Sequence, residues 1–163
     1  MRKIFVGITL ACCLIGIGAV QGKAQTRKAG LWELTTTQTF QRSPFPDAGS
    51  PPSTPHITEV CLTQPQIEKY GAIVPHIPGC RITNVMMKPG GMTGEMECNS
   101  HMNGKATLES SSSDGIHASG KIHFVGSLGT GADAKPMEWT THSSAIFKSA
   151  DCGNVQPAPM PDN

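Results

Sequence analysis

From residue 31 to 40 the chain alternates, and Trp32, Leu34, Thr36, Gln38 and Phe40 fall on one face of an extended segment. A period of two is that of a half-buried strand, and frequent threonine suits one that is partly exposed. Between 116 and 125 the same pattern sets Ile116, Ala118, Gly120, Ile122 and Phe124 against His117, Ser119, Lys121 and His123. Met92, Gly94, Met96 and Cys98 share a face opposite Thr93, Glu95 and Glu97. Further strand signals cover 56–62, 81–88, 105–112 and 137–148, the last with Met137, Trp139 and Phe147 on one face. Only 65–70 has a helical look, with Thr63 or Gln64 as its cap and Pro65 near the first turn. About seven short strands and one short helix describe an all-β domain. The expected form is an antiparallel meander making a small sandwich or a partly open barrel.

The breaks in the pattern are as informative. Residues 43–55 carry five prolines among Ser and Gly, which predicts a loop, and 153–163 is expected to be a disordered tail. Pro89, Gly90 and Gly91 mark a turn; centring it on Pro89 sets Met86 opposite Met92, Ile82 opposite Met96 and Cys80 opposite Cys98. Around Asp114 a three-residue loop, 113–115, is predicted. It pairs Ser112 with Ile116, Ala106 with Ile122 and Leu108 with Gly120, and puts Gly115 in the left-handed region.

The N-terminus changes the picture of where the domain works. Met1, Arg2 and Lys3 precede an apolar run from 4 to 20, and Gly22 and Ala24 are small residues suited to a cleavage site. This is the order of a signal peptide, 1–24. Its removal leaves a mature chain with 10 basic against 12 acidic residues, a net charge of −2, most of it in a single domain, 25–152. Such a balance points away from nucleic acid, which asks for a clustered basic face. No second apolar run is long enough to span a membrane as a helix, so the mature chain is expected not to be integral to one. Cys12 and Cys13 leave with the leader, and the remaining four, Cys61, Cys80, Cys98 and Cys152, read as two disulfides formed in an oxidising compartment.

Several short markers recur in a recognisable order. Gly30-Leu31-Trp32-Glu33-Leu34-Thr35-Thr36 opens the domain, and Cys61-Leu62-Thr63 comes next. A strand pair runs from Cys80 to Cys98, then a Met/Gly/Thr-rich meander, and Ala150-Asp151-Cys152-Gly153 closes the series. In this order they resemble the DUF3617 family of small exported bacterial proteins, over residues 30–152. The resemblance implies a Gram-negative envelope, periplasmic location and supplies no catalytic or ligand residue. The chain departs from it in the Pro-rich insert and at 143–148, where a more basic stretch is usual.

Four cysteines allow three connectivities. Strand parity selects among them. In a meander, Cys80 starts one strand and Cys98 ends the next, so both lie at one end of the sheet. Three more strands carry Cys152 to the opposite end, roughly 20–25 Å away and far beyond the ~7 Å Cα limit of a bridge. Cys80–Cys98 and Cys61–Cys152 are therefore expected, with residues 63–79 long enough to carry the chain between ends.

Candidate chemistry is sparse. His56, His76, His101, His117, His123 and His142 are scattered, and no pair has compact metal-ligand spacing; His123 and His142 sit on neighbouring strands and could meet. Met86, Met87, Met92, Met96, Met102 and Met137 suggest Cu(I), which thioethers favour, but methionine also fills cores poor in aromatics. Met92 and Met96 share the inferred inward face with Cys98, which fits the core role. The stretch GSLGTG at 126–131 lacks the lysine and following helix of a phosphate loop and reads as a hairpin. Glu33, Glu59, Glu95 and Glu138 have no evident partner in the sequence, and a disulfide-bonded Cys152 offers no thiolate beside Asp151. No catalytic residue, metal ligand or cofactor is assigned, and the chain is expected not to be an enzyme. Three functions remain: a binding module for a small apolar ligand or an envelope partner, copper handling through Met and His, and a passive structural or interaction protein. A cavity lined by Ile, Leu and Met would favour the first. Converging thioether and imidazole groups would favour the second, and a flat apolar surface patch the third.

Overall fold

The computed structural model describes residues 27–45 and 53–160; the expected leader, 1–24, and most of the Pro-rich stretch 43–55 lie outside the described residues. Seven strands form one sheet: β1 (Gly30–Arg42), β2 (His56–Leu62), β3 (Cys80–Lys88), β4 (Gly91–Asn99), β5 (Met102–Ser111), β6 (His117–Leu128) and β7 (Lys135–Ser149). Every neighbouring pair is antiparallel, in the order β2-β1-β7-β6-β5-β4-β3. The last five strands are a meander, and the β1–β2 hairpin joins it through β1 and β7. The outer strands β2 and β3 are not paired with each other, so the sheet does not close into a barrel.

The alternation read from the sequence sorts the two faces. Trp32, Phe124, Met96, Met92, Leu108 and Trp139 are buried on the inward face. Phe124 lies opposite Trp139 in register, and their rings stack at 5.5 Å. Gly104 and Gly126 face each other beside that ring. A Cβ on Gly126 would come within 2.8 Å of the Phe124 ring and collide with the Asn103 carbonyl. The outward face carries cross-strand ion pairs: Glu97 with Arg81 and Lys105, and Glu33 with Lys148.

One short helix, α1 (Gln64–Tyr70), comes after β2. Thr63 is its cap, its N–H donating to Gln66 Oε1 (2.7 Å), and Pro65 sits in the first turn. Gly71 ends it in the left-handed conformation. Residues 71–79 then form a strap from the β2 end of the sheet to the Cys80 end. Ala72 and Val74 are buried in the core with Met92, Met96 and Leu108, and Ile77 packs against it. Ile67 packs with Trp32 and Leu62 in a second cluster under the helix, joined by Ile73 at its margin.

The disulfides are Cys61–Cys152 and Cys80–Cys98, with Cα separations of 5.5 and 4.0 Å. Cys80 and Cys98 are direct partners across β3 and β4, and Cys152 is at the opposite end of the sheet, beside Cys61. This is the pairing that strand parity requires.

Two registers differ from expectation. In the β3–β4 hairpin Ile82 does face Met96, but a bulge after Thr83 shifts the pairs nearer the turn, so Met87 faces Met92 and Met86 faces Thr93. Pro89 and Gly90 form a two-residue turn between Lys88 and Gly91, with Gly90 at φ 74°. The extra residue is taken up near Asn84, at φ 51°, a conformation asparagine tolerates. In the β5–β6 hairpin Ala106 faces Phe124, Leu108 faces Ile122 and Ser111 faces Ser119. The loop is therefore longer than three residues, although Gly115 is left-handed at φ 75°. Side-chain bonds hold it open. Asp114 accepts from the N–H groups of Ile116 and His117, and Ser112 Oγ accepts from Gly115 N–H and donates to the His117 carbonyl. The Ile116 carbonyl accepts from Phe147 N–H, which draws the start of β6 toward β7. The shift is by two residues, so the faces are unchanged.

Residues 153–160, expected as a disordered tail, run back along the β2 edge. Ala158 N–H donates to the Cys61 carbonyl (3.1 Å), and the Ala158 carbonyl accepts from Gln66 Nε2 (2.6 Å). The bridge at Cys152 delivers the tail to that edge. Of Pro157, Ala158 and Pro159, only Ala158 has an N–H to give.

Candidate functional site: a cleft on the inward face

The strap fills only part of the inward face. Between it, β1 and β7 lies an open cleft of about 670 Å³. Its floor is apolar where Leu34, Phe40, Ile122, Met137 and Trp139 meet. The strap supplies Ile73, Val74 and Ile77 as one wall, and Ala158 and Pro159 of the tail stand at another side. Thr36, Gln38, Thr141 and Ser143 place hydroxyl and amide groups among these. In register, Gln38 faces Thr141 and Thr36 faces Ser143, so the polar groups form two adjacent cross-strand rows.

A second, smaller space of about 40 Å³ lies under the strap between Ala72, Met92 and Leu108. It shares Leu34, Ile73, Val74, Pro75, Ile122 and Ser143 with the cleft. The Arg27 guanidinium stands at its side, 5% exposed. Arg27 donates to the Gly71 carbonyl (2.6 Å), Ser110 Oγ (2.6 Å) and the Ser111 carbonyl (3.0 Å). Its Nε is buried and without a partner. Burial lowers its pKa to about 10, because a low-dielectric surrounding disfavours the charged form.

The residues singled out in the sequence fall into different places. The face Trp32, Leu34, Thr36, Gln38 and Phe40 carries four members into the cleft, and Trp32 into the cluster under α1. Met92, Met96 and Met137 are buried, Met102 lines the cleft, and Met86 and Met87 are exposed at the β3 edge. His123 faces Thr140, while His142 faces Lys121; the His123 ring lies 3.0 Å from Glu138 and not against His142. Three of the four carboxylates that look single in sequence have cross-strand partners, Glu33 with Lys148, Glu95 with Asn84 and Glu138 with His123, while Glu59 lies opposite Glu33 in register. Among the described residues no group of three or more His, Cys, Asp or Glu is placed to hold a metal ion. Of residues 126–131, Gly126, Ser127 and Leu128 end β6, paired with the start of β7, and 129–131 lie in the β6–β7 connection.

Two parts of the site carried no period in the sequence. The strap has no repeat, and its only signal is the run of apolar residues Ala72, Ile73, Val74 and Ile77 within a connector. Arg27 precedes the first strand, with nothing local to mark it as buried.

No curated protein and no solved structure significantly matches the chain. The profile of one family, described as a protein of unknown function, matches residues 27–152. With its seven-strand sheet, two disulfides and strap-bound cleft, the chain belongs to the DUF3617 family.

Proposed function

We propose that the protein is a non-catalytic binding module of the bacterial periplasm that takes a small apolar ligand into the cleft between strap and sheet. The observation that carries this reading is the cleft. At about 670 Å³ it falls in the range of small-molecule sites, roughly 300–1,000 Å³ with apolar walls and a few polar groups. Its lining is of the Ile, Leu and Met kind, with two aromatic rings added. Among the described residues, its one titratable lining side chain is His76, which is exposed. The two disulfides suit an oxidising compartment, and the leader pattern suits the periplasm within that class.

The test is binding of N-phenyl-1-naphthylamine, an uncharged probe that fluoresces in apolar surroundings. Saturable enhancement is expected, reduced by Ile122→Gln or Trp139→Gln at the cleft floor. A protein that gives no enhancement, or gives it equally in both variants, would overturn the reading. Met102, Met137 and His76 also line the cleft, and this favours copper as the second reading. Native mass spectrometry of protein purified from periplasm separates the two, since an organic ligand and a copper ion add different masses.

A further inference from the structure

We propose that the cleft selects an amphiphile with a carboxylate head, seated against Arg27 beneath the strap. This inference rests on the cleft reading and adds the ligand class. A buried guanidinium is costly unless an anion or enough hydrogen bonds compensate it. Arg27 is 95% buried, yet among the described residues its hydrogen-bond partners are three neutral oxygens. One of its N–H groups, at Nε, has no partner. The charge is therefore only partly satisfied by the fold.

Its position makes the deficit useful. The 40 Å³ space beside Arg27 and the 670 Å³ cleft share six lining residues, so an apolar chain in the cleft can direct its end toward the guanidinium. The shared lining is Leu34, Ile73, Val74, Pro75 and Ile122, with Ser143 as the one hydroxyl. The one carboxylate residue along the small space, Glu109, is paired in register with Lys121 on the outward face. A space of this size suits a planar carboxylate better than a phosphodiester with its substituents. Guanidinium and carboxylate also match in shape and charge.

Competition against the bound naphthylamine probe tests this with palmitate and hexadecan-1-ol, which share a chain and differ in the head. In the wild-type protein palmitate is expected to compete about tenfold more tightly or better, as charge-assisted hydrogen bonds imply. In Arg27→Met the two should compete alike. Equal competition in the wild type would overturn the carboxylate assignment while the cleft reading stands. A palmitate preference that survives in Arg27→Met would overturn the role of Arg27. Hexadecyl phosphate competing more tightly than palmitate would overturn the choice of head group. Failure of every chain to displace the probe would sink the cleft reading along with the inference. Arg27 also ties Gly71 to Ser110, so the variant's near-ultraviolet circular dichroism is compared first. Should it fail to fold, the wild-type comparison of the two heads still decides the carboxylate assignment.

Discussion

The strap divides the inward face into two halves built from the same alternation. Toward β3 the face is filled except for the 40 Å³ space beside Arg27: Met92, Met96, Leu108 and Phe124 are buried, and Ala72 and Val74 of the strap close over them. Along β1 and β7 the face holds Leu34, Phe40 and Trp139, but Thr36, Gln38, Thr141 and Ser143 alternate with them, and nothing among the described residues fills the space between. A core half gains from every methylene that excludes water. A cleft half keeps polar groups that water can satisfy when no ligand is present. The difference lies in what covers each half. A nine-residue strap is long enough to cross the sheet once and too short to pave it.

The largest expected effect concerns what holds each half in place. Cys61–Cys152 closes a loop of 91 residues and anchors the β2 edge beside the cleft, whereas Cys80–Cys98 closes 18 between strands already paired. Chain-entropy arithmetic gives about 4.6 kcal/mol for the first and about 3.2 kcal/mol for the second. Paired Cys→Ser variants studied by urea denaturation should show the first pair to be the more destabilised. The reverse order would mean that the tail and β2 stay in place without their bridge.

Next in size is a matched truncation. Leu108→Ala in the filled half should cost about 2–5 kcal/mol, since the neighbours cannot collapse into the space. Leu34→Ala, at the half-buried cleft floor, should cost about 1–2 kcal/mol, because part of the side chain already borders open space. Equal losses in thermal or chemical denaturation would show that the cleft is closed in solution.

A polar-to-apolar change sharpens the same contrast. Thr141→Val in the cleft should alter stability by less than about 0.5 kcal/mol, as at other sites that lack a buried bonding network. It should also tighten binding of the naphthylamine probe. A loss of several degrees in Tm instead would place that hydroxyl in the core.

The smallest effect lies away from both halves, in the β5–β6 loop. The Asp114 carboxyl is held well below the usual carboxylate range, first by its bond to the His117 side chain, then by the N–H groups of His117 and Ile116. Its folded-state pKa is thus lower than its unfolded one. The stability it contributes is complete above the unfolded value, near ~4, and is lost as pH falls through the folded value. Wild-type protein should lose stability on acidification more steeply than Asp114→Asn, modestly because the group is exposed. Identical acid profiles by circular dichroism would remove the loop bonds from the account.

Much of the frame was legible along the chain because a strand's period of two is a local property. The faces of β1, β4 and β6 come from alternation alone, and with them the cleft floor from Leu34 to Phe40. The bridges came from counting strand directions, which needs order and not coordinates. The hairpin registers were less accessible. At Asn84 and Asp114 side chains compete with the ladder for backbone groups, and that competition is settled only when both strands are present.

What the sequence by itself determined is the all-β class, the inward set of side chains, the two disulfides and the membership of one family. These rest on short-range periodicity and on parity. The tertiary structure alone decided that the sheet stays open, that the tail returns to β2, and that the strap leaves a cleft with Arg27 beneath it. Each of these depends on contacts between residues far apart in sequence, such as Arg27 with Gly71 and Ser110, and no local pattern encodes such a meeting. A buried arginine and an exposed one have the same neighbours along the chain, and only the fold sets how much water each can reach.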